Sequence, residues 1–66
     1  MQKIKELLQE ISGTKVTVQD KILKTTVKTI NKEQIAALAV MLCLDNVEAI
    51  DLKRSGTGIT ILVTLK

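Results

Sequence analysis

Between Lys3 and Ile11 the apolar residues Ile4, Leu7, Leu8 and Ile11 recur at helical spacing, and Lys3, Lys5, Glu6, Gln9 and Glu10 fill the other positions. That pattern predicts an amphipathic helix with one buried stripe. Ser12-Gly13 ends it, because glycine takes the left-handed conformation after a helix C-terminus without a Cβ penalty. Beyond Gly13 the period drops to two. Val16 and Val18 alternate with Lys15 and Thr17, and "ILKTTVKTI" from Ile22 to Ile30 is rich in β-branched residues. Two strands are predicted here. The first arm is too short to pair all of the second, so part of Thr25 to Ile30 has to meet another strand or form an edge.

Asn31 and Gln34 stand at the spacing of a capping box, which predicts a helix beginning at Lys32. Ile35, Leu38, Ala39 and Leu42 form its expected stripe. Val40, Met41, Cys43 and Leu44 occupy the remaining positions, so beyond its first turn this helix is apolar all round. A helix of that kind is buried on more than one side. The sheet and the first helix can cover part of it, and the remainder predicts self-association as a homodimer, through Val40, Met41 and Leu44. After Asp45-Asn46, the stretches "VEAIDLKR" and "ITILVTLK" flank the turn "SGTG" and read as a strand pair. Asp45 and Glu48 also permit a short helix over Val47 to Arg54. The strand is preferred, since Ile59 to Leu65 is the clearest strand in the chain and requires an antiparallel neighbour. The fold class is therefore α+β: one small domain over residues 1–66, ordered helix-strand-strand-helix-strand-strand, with an antiparallel sheet and its helices on one face.

Two stretches resemble each other, "SGTKVTV" from Ser12 and "SGTGITI" from Ser55. Superposing them requires a shift of 43, which lays the first strand of one half on the second strand of the other. A shift of 31 instead lays Ile4 on Ile35, Leu7 on Leu38, Ile11 on Leu42 and Val16 on Val47. The repeated triplet is thus read as shared turn chemistry. A phosphate cradle at "SGTG" is the rival reading, but such loops lead into a helix N-terminus and this one leads into a strand.

Composition sharpens the picture. The chain has 66 residues, 45% of them apolar, yet no Phe, Tyr or Trp. A domain this small buries only about 60% of its unfolded surface, and an aliphatic core without aromatic rings makes a second subunit more useful. With no histidine and a single cysteine, neither a disulfide nor a zinc site is expected, and no cofactor. Cys43, inside "VMLCLD", is expected to be buried and unreactive. The carboxylates are scattered, so no enzyme is expected. The longest apolar run, "IAALAVMLCL", is about half the length of a membrane span, and the expected setting is cytoplasmic, with no membrane partner.

Strand alternation sends Val16, Val18, Leu23, Val27, Ile59, Ile61, Val63 and Leu65 towards the helices. It leaves Lys15, Thr17, Lys24, Thr26, Lys28, Thr60, Thr64 and Lys66 on the other face. Two functions fit. The first is a small non-catalytic interaction module, a regulator or inhibitor acting as a homo-oligomer through its apolar second helix. The alternative is a nucleic-acid-binding module, in which Lys15, Lys24, Lys28, Lys53 and Arg54 contact phosphates, at a net charge of +3. Against the alternative stands the lack of any aromatic residue to stack on bases.

Overall fold

The computed structural model describes residues 2–66 and has the expected element order. Helix α1 covers Gln2–Ser12, strands β1 and β2 cover Thr17–Gln19 and Ile22–Val27, helix α2 covers Lys32–Leu42, and strands β3 and β4 cover Val47–Ser55 and Gly58–Leu65. The strands form one antiparallel sheet in the order β1-β2-β4-β3. Each hairpin thus contributes one inner and one edge strand, and the unpaired remainder of β2 finds its second partner in β4. Val47 to Ser55 is strand throughout, which settles the choice between strand and helix. Among the described residues no helix is long and apolar enough to cross a membrane.

The register shows why both helices lie on the same side. Leu23 opposes Val63, which opposes Ile50, and Thr25 opposes Ile61, which opposes Leu52. Directly opposed residues of an antiparallel pair share a face, and this face carries the core: Leu23, Val27, Ile61, Val63 and Leu65 pack with Ile4 and Leu8 of α1 and Leu38 and Met41 of α2. The opposite face carries the rows Thr17, Lys24, Leu62, Asp51 and Thr26, Thr60, Lys53.

Both "SGT" segments serve as turns, by different means. Gly13 has φ +69° and its N–H donates to the Gln9 carbonyl at 2.8 Å, the left-handed helix cap. The hydroxyl of Ser12 accepts from the Thr14 N–H at 3.2 Å, and Thr25, buried on β2, donates to the Lys15 carbonyl at 3.0 Å while its hydroxyl also meets that of Thr14. These hydroxyls tie the end of α1 to the sheet and satisfy one another within the fold. The second segment is tighter than expected. Ser55 already pairs with Gly58, so the loop is the two residues Gly56 and Thr57, with φ +59° at Gly56 only. Positive φ at the first central position alone is the signature of a II′-type hairpin turn.

The shift of 31 overlays the two helices and lays β1 on the start of β3, but it sends β2 into the β3–β4 turn instead of onto β4. The halves share order and arrangement, and the second hairpin is the longer one.

The capping box is present: the Asn31 side chain accepts from the Gln34 N–H at 2.8 Å, and the Gln34 side chain accepts from the Asn31 N–H at 2.9 Å. Gln34 also reaches the other helix, its Nε2 donating to the Ile11 carbonyl at 3.0 Å. One side chain therefore satisfies an orphan donor of α2 and a carbonyl in the last turn of α1. Gln34→Ala is expected to lower stability by about 1–2 kcal/mol. Gln34→Glu, which keeps the acceptor and loses the donor, is expected to fall between Ala and the unchanged protein. Urea unfolding of the three chains measures this, and equal midpoints would contradict it.

Candidate interaction surface

An α-helix on a sheet buries about one residue per turn deeply and shares its flanks with whatever lies alongside. In α2 the buried line is Leu38 and Met41, with Gln34 at its N-terminal end. This corrects the stripe expected from sequence. Ile35, Ala39 and Leu42 are exposed, each one residue, or about 100°, around the helix from a position on the buried line. Met41, assigned above to self-association, is 2% exposed and belongs to the chain's own core, so the surface part of that set is Val40 and Leu44. Cys43 is exposed, not buried: it caps α2 two residues past Met41, on roughly the opposite side of the helix.

The consequence is large apolar side chains in solvent on both flanks of α2. Val40 is 69% exposed, Ile35 51% and Leu42 47%, and Leu44 is exposed as well. They lie along two grooves, one on either side of α2. Towards α1, Leu7, Ile11, Ala37, Val40, Met41 and Leu44 line an almost wholly apolar groove. Towards β3, Ile35, Leu38, Ala39 and Leu42 face Ile50 and Leu52, and Leu52 is itself 47% exposed. Isolated surface leucines need no explanation, but two apolar grooves flanked by exposed large side chains on a chain of this size do.

The second groove opens at the edge of the sheet. Among the described residues, β3 pairs with β4 on one side and has no strand on the other over its whole nine-residue length. β1, the other edge, is three residues long. Short edges offer little backbone to a neighbouring chain, whereas a long edge offers a row of unpaired N–H and C=O groups. Of the β3 edge, the sequence singles out Lys53 and Arg54 alone, as phosphate contacts, and not Ile50, Asp51 or Leu52. Alternation along "VEAIDLKR" indicates a strand but says nothing of whether it lies inside or at the rim.

Of the five basic residues named above as phosphate contacts, two stand on the outer sheet face, one on the helix-bearing face and two just outside the strands. Lys24 and Lys53 share the outer sheet face, in different rows, and Lys24 is followed in its own row by Leu62 and Asp51. Arg54 opposes Ile59 and so lies on the helix-bearing face. Lys15 and Lys28 lie outside the strands. Ile22, 44% exposed, stands on the outer face beside Thr64, so that face is less uniformly polar than lysine-threonine alternation suggests.

No protein-family model, curated protein or solved structure shows significant similarity to this chain.

Proposed function

We propose that this protein is a non-catalytic interaction module, a regulator or inhibitor that works as a homo-oligomer and uses the exposed face of α2 as its binding surface. The observation that carries this reading is the run of Ile35, Val40, Leu42 and Leu44, four large apolar side chains left in solvent by a helix that already has its core contacts. Burying apolar surface yields about 25 cal/mol per Å², and a chain with no aromatic residue has few other sources of association energy. We place it in the cytoplasm, where an exposed thiol such as Cys43 stays reduced.

Sedimentation measures this directly. The unchanged protein is expected to associate at micromolar concentration. The double variant Val40→Lys with Leu42→Lys, one change near each groove and both at exposed positions, is expected to stay folded by circular dichroism and to lose association at least tenfold. A monomer at hundreds of micromolar for the unchanged protein refutes the reading. So does an oligomer indifferent to the double variant, since association then lies away from α2.

A further inference from the structure

We infer that the second copy adds across the β3 edge, antiparallel to the first, with a two-fold axis passing at Leu52, so that two four-stranded sheets become one sheet of eight. This rests on the homo-oligomer reading and specifies which surface meets which. A two-fold axis perpendicular to the sheet keeps both helix layers on one side, so residues facing each other across the axis share a face. Only centres on a residue satisfy that requirement, and the charges of β3 choose among them.

Centred on Asp51, the pairing sets Asp51 against its own copy, and centred on Lys53 it sets Lys53 against its own copy. Like charges directly opposed are destabilising. Centred on Ile50, it places Leu52 opposite Glu48 and Lys53 opposite Val47, with no ion pair. Centred on Leu52, it places Asp51 opposite Lys53 twice on the outer face and Leu52 against Leu52 on the helix face. The Arg54 side chain then lies over Ile50. The same register spans Ala49 to Ser55 and leaves out the irregularity between Val47 and Ala49, where the β3–β4 ladder shifts.

The helix side agrees. Leu52 lies where the groove of Ile35, Ala39, Leu42 and Ile50 meets the edge, and it is half exposed in the single chain. The copy's Leu52 would sit beside it and close the groove, while the unpaired backbone groups of β3 gain partners. Charged residues on an edge strand usually repel a second chain. Here Asp51 and Lys53 are of opposite sign at positions that this register sets opposite each other across the axis, so they select a partner.

Two variants test the register together. In Asp51→Lys both symmetric pairs become Lys opposite Lys, and in Lys53→Asp both become Asp opposite Asp. Each alone is expected to weaken dimerisation about tenfold or more. Mixed in equal amounts, they present Lys to Asp at both pairs and are expected to form the heterodimer, which native mass spectrometry resolves from the homodimers by mass. Both positions are exposed, so the folded monomer serves as its own control by circular dichroism. If the unchanged protein dimerises and the Val40/Leu42 lysine variant does not, yet the single charge variants dimerise like the unchanged protein or the mixture gives no preference for heterodimer, the Leu52-centred register is overturned and association through α2 stands. If the unchanged protein is a monomer, both fall.

Discussion

Met41→Lys is expected to unfold the chain under conditions where Val40→Lys, one residue earlier, leaves it folded. Met41 is 2% exposed and lies in the core cluster between α1, α2 and the sheet, whereas Val40 is 69% exposed. A buried ammonium without a partner costs about 3–5 kcal/mol, against a total stability of about 3–10 kcal/mol for a domain of this length. The lysine stem can carry the charge part of the way out along the groove between Leu7 and Leu44, which relieves the charge but leaves a gap where the thioether packed. Met41→Leu, which keeps volume and apolarity, is expected to cost less than about 1.5 kcal/mol. Thermal unfolding followed by circular dichroism separates the three. A Met41→Lys protein melting within a few degrees of the unchanged one would show that this side of α2 is not core.

That pair of neighbours also shows where the sequence stops being informative. In α1 the polar residues mark the solvent side, so the stripe Ile4, Leu7, Leu8 and Ile11 is legible: the structure buries Ile4 and Leu8, half-buries Ile11 and leaves Leu7 exposed at its margin. In α2 apolar residues occupy every direction after the first turn, so periodicity fixes the existence of the helix and leaves its rotation open. The rotation is set by tertiary contacts that no local pattern records, among them the Gln34 bond to the Ile11 carbonyl. The reading of Ile35, Leu38, Ala39 and Leu42 as the core line holds for Leu38 and is off by one position at the other three for that reason, and Met41 and Cys43 change places with expectation in consequence. The sheet shows the same division. Alternation assigns the faces of β2 and β4 correctly, because a period of two allows only two answers. Strand order is a matter of long-range pairing, so the exposed edge of β3, and with it the pairing proposed for Asp51, Leu52 and Lys53, emerges only once the fold is assembled.

Gly58→Ala is expected to cost about 2–3 kcal/mol, more than Gly56→Ala, although only Gly56 has positive φ. The two glycines of "SGTG" are constrained by different physics. At Gly56 a Cβ would meet nothing within 4 Å, so the penalty is conformational, about 1 kcal/mol or somewhat more for an alanine held at φ +59°. At Gly58 the backbone conformation is one that any residue adopts, but a Cβ would lie 2.8 Å from the carbonyl oxygen of Val27 and 3.4 Å from the Thr26 methyl. The first of those neighbours is backbone of an inner strand and cannot swing aside as a side chain would. To admit a methyl group, β2 and β4 have to separate at that end, and their ladder from Ile22–Thr64 to Val27–Ile59 joins the two hairpins into one sheet. The loss is therefore expected to appear as a lower urea midpoint and as faster amide exchange at Val27 and Ile59, while Gly56→Ala lowers the midpoint less and leaves exchange at those two positions close to that of the unchanged protein. Equal costs at the two glycines, or a larger one at Gly56, would mean that turn conformation and not the approach of β4 to β2 determines why glycine stands at both positions.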